Sequence, residues 1–451
     1  MEASNDVHKH ETTGILSKCS SLSLVQSANS NHRTKGLPLW LASVFIVGEM
    51  AGSGVLALPK AIADAGWSGI ALLIISCLNT LYAAICLGRS WMIIEERYDE
   101  YREKNRYPYA AIAYRAVGTK MRYIVSFCND FTLFGVATVF LLLCSELIGT
   151  LASSWGLSFC YWILIIAAIL CPLMWLGTPE DFWPAAIGAL VTTTLACILL
   201  IVALVKEERK GTSHPEYPPP TVMSFFLAFG TILFAFGGAS TFPTFQNDMR
   251  DRSQFPKAVT IGFSVLLLLY LPVAVLGYSV YGKDLNPDII QTLPDSSLRS
   301  AVEILLALHL FFAFLLVINT PAQEMEEFLK VPKRFGWKRC MLRTAVMLLI
   351  IFVAQSIPRF GKVLNLIGGS TATLTTSVFP CYFYLMLCSQ ESTEWPQKRI
   401  PLYEKIYLFF IMITGIIGGC ISTYSAITDI AQAKSFNPPC YVNITAAGNQ
   451  L

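Results

Sequence analysis

The chain has 451 residues, of which 54% are hydrophobic and only 14% charged, with a formal net charge of +3. Soluble domains carry about a quarter charged residues, so this composition excludes an ordinary soluble enzyme. The basic residues fall in bands between apolar runs of membrane-crossing length, a pattern that topology explains and nucleic-acid binding does not.

The first 36 residues are polar and rich in Ser and Asn, without the pattern of a cleavable signal. They read as a disordered cytosolic tail, and the membrane region as 37–428. Eleven apolar runs follow, at 39–58, 66–94, 123–146, 159–177, 183–205, 222–246, 258–281, 298–320, 341–356, 362–388 and 405–427. Spans two and ten exceed the length a bilayer needs and are expected to tilt or project from it. Residues 429–451 form a C-terminal tail. With the N-terminus in the cytosol, 24 of the 33 Lys and Arg residues lie on the cytosolic side, which satisfies the positive-inside rule. The KEERK segment after span five is the one local violation. An odd number of spans then places the C-terminus outside the cell or in an organelle lumen. The sequon at Asn443, a glycosylation acceptor in that tail, agrees with this orientation.

Most of the thirteen cysteines lie inside apolar runs and read as small core residues. Cys160 and Cys440 are the two nearest the oxidising side and are the pair placed for a disulfide. No Cys/His cluster has zinc spacing, and no phosphate-cradling GxxxxGK[ST], HExxH or GxSxG sequence occurs, so neither a metal site, an ATP-driven pump nor a hydrolase is expected.

Span one does not read as a continuous helix. It carries a carboxylate, Glu49, near its centre, followed by Gly52-Ser53-Gly54 and then Pro59. Span six repeats the pattern, with Gly237-Gly238 followed by Pro243. Two interrupted spans, each opening a block of five, are the sequence signature of an inverted-repeat transporter with its site near the bilayer midplane. Unwound backbone in lipid leaves N–H and C=O groups that cost several kcal/mol each unless protein or a wet cavity meets them. Half-helix N-termini offer those N–H groups to an anion such as a carboxylate, and half-helix C-termini offer carbonyls to an ammonium or a cation. The competing explanation for each glycine pair is close helix packing.

A carboxylate at the helix centre costs about 2.5–3.5 kcal/mol on insertion scales and usually faces the bundle interior. Glu49 is therefore the leading candidate for a proton carrier, and the alternative is a structural acid bonded to a neighbouring hydroxyl. His309, in the middle of span eight, is the second candidate for ion coupling. Asp130 and Glu303 are placed to line a path or to sit nearer an interface, and Lys362 is expected to reach outward. The small, hydroxyl-rich stretch Leu366–Thr373 in span ten reads as a close-packing surface, with a gate as the alternative.

Three stretches, GSGVLALPKAIADAGW, WLGTPEDFW at 175–183 and FGTILFAFGGASTFPTFQNDM, resemble the amino acid/auxin permease family of amino acid transporters, over about residues 36–430. That resemblance implies an all-α polytopic protein of the leucine-transporter type, five plus five inverted spans and an eleventh helix, transporting amino acids by alternating access. Carried onto this chain, it implies that Ala51, Gly52, Ser53 and Gly54 receive the substrate carboxylate. It adds Phe236, Gly237, Gly238 and Ala239 from span six, with Phe236 as a lid over the solute. Many members have an uncharged residue near Glu49, and sodium-coupled ones use a hydroxyl in span eight where this chain has Phe311-Phe312-Ala313-Phe314. Both differences favour H+ over Na+ as the coupling ion.

The expected function is proton-coupled amino acid symport in a lipid bilayer. The alternatives are sodium coupling and an amino acid sensor with little flux. Glu11–Leu16, ETTGIL, resembles an acidic-dileucine sorting signal and leaves plasma membrane and endolysosomal membrane as alternatives. The particular amino acid and the oligomeric state are not legible in the sequence.

Overall fold

The computed structural model describes residues 36–102, 105, 107–175, 183–210, 215–332, 335–431 and 439–444. The sorting-like ETTGIL, the 176–182 turn and most of both tails lie outside the described residues. Among the described residues the regular structure is helical, and one isolated bridge joins Leu37 and Met249.

Eight described helices are long and apolar enough to cross a membrane alone, and Leu39–Met50 with Ser53–Ala65 forms a ninth span bent by 57°. Two shorter apolar helices, Phe159–Trp175 and Val222–Ala235, complete the eleven expected spans. Spans two, Ser68–Arg97, and ten, Phe360–Ser389, run 30 residues each. That is about 45 Å of helix against a hydrocarbon core of about 30 Å, as their sequence length implied.

Span eight, Ser297–Phe328, packs on spans three, Thr119–Leu151, and five, Trp183–Lys210, and spans five and eight pack on the first half of span one. Span seven, Phe255–Tyr281, packs on both halves of span one, and span eleven, Leu402–Ala431, on spans six and ten. The sequence reading missed the helix Pro108–Ala116, which follows a run of charges. Its proline occupies the first turn, where no N–H is needed. Tyr109, Ile112 and Ala113 are buried, and the Tyr109 hydroxyl donates to the Thr375 carbonyl of span ten.

Span ten is itself distorted. Gly368–Ala372 and Leu374–Val378 are π-type turns, and Ser370 leaves helical geometry altogether. The stretch is closely packed: a Cβ on Gly368 would collide with the Gly230 carbonyl of span six, and one on Gly369 with the Ser422 side chain of span eleven. The glycine-rich stretch thus brings helices together, as its composition suggested.

One end of the bundle is tied shut. Leu37 N–H donates to the Asp248 carbonyl at 2.9 Å and Arg250 N–H to the Leu37 carbonyl at 2.9 Å, joining the entry to span one with the exit from span six. Arg252 is buried beside this bridge, donating to Glu95 at 2.5 Å and to the Asn247 side chain at 2.7 Å. At the other end, a disulfide joins Cys160, at the start of span four, to Cys440 in the C-terminal tail.

Candidate substrate and ion site

The two broken spans lie side by side. Span one unwinds at Ala51 and Gly52, and Ser53 and Gly54 already belong to its second half. Span six ends its first half at Ala235 and resumes with Phe242–Asp248. A Cβ on Gly54 would lie 2.8 Å from Ala235, and one on Gly238 would lie 2.7 Å from the Met50 side chain. Gly54 is therefore required where it meets the Ala235 backbone, and Gly238 lies close against the Met50 and Phe242 side chains, so packing and unwinding occur in the same stretches.

The two prolines have different roles. Pro243 sits in the first turn of its half-helix, where its missing N–H costs nothing. Pro59 lies inside the second half of span one and packs on Gly277 of span seven.

The carbonyls released by unwinding have partners. Tyr270 of span seven donates its hydroxyl to the Met50 carbonyl at 2.7 Å and reaches the Ala235 carbonyl at 3.3 Å, so one residue serves the first halves of both broken spans. Thr193 of span five donates to the Ala51 carbonyl at 2.8 Å. Thr241, at the end of the span-six break, lies 3.1 Å from the Gly238 carbonyl and donates to the Glu49 carboxylate. These three hydroxyls were missed by the sequence reading. Tyr270 was a lone polar group within the apolar run LLLLYLPV, Thr193 one of three consecutive threonines in span five, and Thr241 a neighbour of Ser240 in the span-six break.

Glu49 is buried, facing the bundle as expected. His309 is fully buried, with Nδ1 2.6 Å from the Thr193 hydroxyl and 2.9 Å from the Ala189 carbonyl. Its Nε2 faces Gly52, where a Cβ would collide with it.

The cradle residues Ala51, Gly52, Ser53, Gly54, Gly238 and Ala239 are buried, and Gly237 is half-buried. Phe236 departs from the expected lid. It is fully buried, with its ring 6.0 Å from Phe263 and 5.5 Å from Tyr270, both on span seven. Cross-helix aromatic packing, which the linear sequence does not reveal, turns it into the scaffold.

A cavity of about 560 Å³ opens at the disulfide end and descends between spans one, three, six and ten. Lys60, Asp64, Glu146, Lys362, Thr231 and Asn365 are among its lining residues. Lys60 pairs with Asp64 at 2.8 Å, and Lys362 donates to the Asp429 carbonyl at 3.1 Å, so it reaches the open end as expected. At the floor, Thr231 of span six donates to the Asn365 side chain at 2.5 Å, joining spans six and ten one turn above the break. Asp130 is hydrogen-bonded to Glu324, and Glu303 pairs with Arg299 at 2.9 Å. Neither acid belongs to the cavity lining. Among the described residues, no group of three or more His, Cys, Asp or Glu side chains has metal-binding geometry.

Eleven spans, two broken next to each other below an open, partly polar cavity, define a membrane transporter with the leucine-transporter fold. Solved structures agree on that fold. The chain is similar to MhsT in complex with L-phenylalanine at TM-score 0.55 and 11% identity, covering 87% of this chain and all of that one. It is also similar to MHP1, a nucleobase-cation-symport-1 family transporter, at TM-score 0.54 and 14% identity, covering 90% and 96%.

The sequence profile of transmembrane amino acid transporter proteins matches residues 36–427, and the chain belongs to that family. It is 27% identical to amino acid transporter AVT1J of Arabidopsis thaliana, covering 85% of this chain and 89% of the relative. Amino acid transporter ANT1 of the same plant is 26% identical, covering 91% and 97%. The protein is a transporter rather than an enzyme.

Proposed function

We propose that this protein moves amino acids by alternating access, in symport with protons. The observation that carries the reading is the Glu49–Thr241 contact between the two breaks. A hydroxyl has one proton to give, and Thr241 has two acceptors, the Glu49 carboxylate and the Gly238 carbonyl. With Glu49 ionised, Thr241 donates to it. With Glu49 protonated, the acid donates to Thr241, whose own proton then turns to the Gly238 carbonyl. Both protonation states of Glu49 are satisfied, yet they leave the span-six break bonded differently.

The solute's carboxylate would meet the N–H groups that open the second half of span one, at Ser53 and Gly54, beside the break at Ala51 and Gly52, where the Gly52 N–H itself donates to the Met50 carbonyl at 3.0 Å. Its ammonium would face the carbonyls of span six around Phe236, Gly237, Gly238 and Ala239. The open cavity supplies the route in. Alternating access is further supported by buried polar atoms without partners toward the opposite end, on Asn129 of span three and Asn319 of span eight. Such groups suit a path that is closed in this conformation and wet in another.

A disulfide persists in an oxidising compartment. The cavity and Cys160–Cys440 share one end of the bundle, which favours that end facing outside or lumenal, with the N-terminus cytosolic. Asn443 is exposed at the same end, as a glycan acceptor requires. Plasma membrane and endolysosomal membrane both fit this orientation.

The test is uptake of a panel of amino acids into proteoliposomes, with an imposed pH gradient and no sodium. Accumulation that follows the pH gradient supports the reading. Accumulation only when sodium is present moves the coupling to Na+, and binding without flux moves the function to a sensor.

A further inference from the structure

The His309 ring is held in one tautomer. Nδ1 lies within hydrogen-bond distance of the Ala189 carbonyl, which can only accept, and of Thr193, whose single hydroxyl proton serves the Ala51 carbonyl. Only a proton on Nδ1 avoids setting two acceptors against each other. Nε2 is then a bare lone pair. It is fully buried, has no partner, and faces the unwound backbone at Gly52 with no room for another heavy atom between them. A proton is the one ligand small enough to enter. A protonated Nε2–H in this packing would have no acceptor, and the charged ring no counter-ion.

Other titratable groups nearby offer none. Span three brings the thiols of Cys128 and Cys144 and, toward its ends, Asp130 and Glu146, and span five brings Cys197. Span one brings Glu49, which is engaged with Thr241. Span eight itself carries Glu303, paired with Arg299. On spans four and nine lie Cys171 and the Arg339–Arg343 pair, the latter bonded to Glu326. Among the described residues, no charged side chain bonds to the ring.

We propose that Nε2 of His309 is a second proton-binding site of the transport cycle, filled only when the span-one break moves off the ring. A proton there stabilises the conformation in which Gly52 has withdrawn, and its release lets the break close back on the imidazole. The Thr193–Ala51 hydrogen bond makes the linkage mechanical, because the hydroxyl beside Nδ1 also holds the carbonyl of the break.

This inference rests on proton-coupled symport, and the experiment separates the two. Wild-type, His309→Gln and His309→Asn proteins are reconstituted without sodium. Accumulation driven by a pH gradient is measured beside homoexchange at equal pH on both sides, from about pH 5 to 8. The expected result is that both variants lose accumulation by at least about tenfold. They keep exchange at a reduced rate, and the pH dependence of that exchange flattens. Accumulation that survives in either variant overturns the role of His309 and leaves proton-coupled symport standing. Loss of exchange together with accumulation in both variants also overturns it, because the ring would then only hold the break. A wild-type protein indifferent to the pH gradient overturns the underlying reading itself.

Discussion

Glu49, in the last turn before the break in span one, accepts a hydrogen bond from Thr241, in the last residue before span six resumes. Glu49 lies just before the unwound point of span one and Thr241 closes the break of span six, so the contact reports on both breaks at once. Glu49→Gln keeps an oxygen that can accept from Thr241 and removes the titratable proton. We expect accumulation driven by a pH gradient to be abolished and counterflow exchange to persist in part. Proteoliposome uptake measured beside exchange checks this, and unchanged pH-driven accumulation would remove Glu49 from the coupling mechanism.

Tyr270 holds the ends of both first halves through one hydroxyl. Tyr270→Phe preserves the ring packed on Phe236 and leaves the Met50 and Ala235 carbonyls without that donor. The Met50 carbonyl still accepts from the Gly52 N–H at 3.0 Å, whereas the Ala235 carbonyl loses its donor, and a buried acceptor left unsatisfied costs about 1–3 kcal/mol. We expect a lower melting temperature in detergent, and uptake and exchange reduced together, because the change affects the scaffold rather than the coupling ion. A variant that loses accumulation alone would contradict this division of roles.

What the sequence revealed follows from the range over which each signal acts. All eleven spans were legible because hydrophobic length is local. The breaks were legible because Gly and Pro act on their own backbone. Among the partners of the breaks, His309 was singled out as an ionisable residue within a span, whereas Thr193 and Tyr270 were not, and the convergence of all three, from three other spans, arises only on folding. Phe236 shows the same limit. Its position in the break was readable, but its rotation onto Phe263 depends on a neighbour far along the chain. The helix Pro108–Ala116 was obscured by the preceding charges, although its own residues are apolar enough to be buried under span ten. The sequence shows the small residue at Gly54 but not that a Cβ there would meet Ala235, a packing contact that brings the second half of span one against span six.

The Thr231–Asn365 hydrogen bond crosses the floor of the cavity. Thr231→Val keeps the volume and removes the donor. Losing a hydrogen bond of about 1 kcal/mol shifts a two-state equilibrium by about fivefold. We expect spans six and ten to separate more often, exposing the break to the cavity. A cysteine placed at Ser53 in a background without accessible thiols should then react with a water-soluble maleimide about fivefold faster than it does with Thr231 present. Equal labelling rates would show that this bond does not close the floor.

Asp288 lies outside the spanning segments, in the connection between spans seven and eight. Its carboxyl caps the short helix Ile289–Thr292, accepting from Ile290 N–H at 2.9 Å, while its other oxygen is buried without a partner. Burial pushes its pKa up to about 7, with the Ile290 bond opposing and the Glu303 charge adding to the rise. Between the ordinary carboxylate range and about 7, the folded protein holds a proton there that the unfolded chain has released. Folding stability from this group is therefore full below the ordinary range and declines as pH rises toward 7, with a slope of at most about 1.4 kcal/mol per pH unit. Asp288→Asn retains the cap, since asparagine accepts the same N–H, and has no charge to bury. The wild-type melting temperature should fall as pH rises from 5 to 7.5, and the variant should lose part of that slope and be the more stable protein at the upper end. Parallel curves for the two proteins would mean that Asp288 is hydrated and carries its charge without cost.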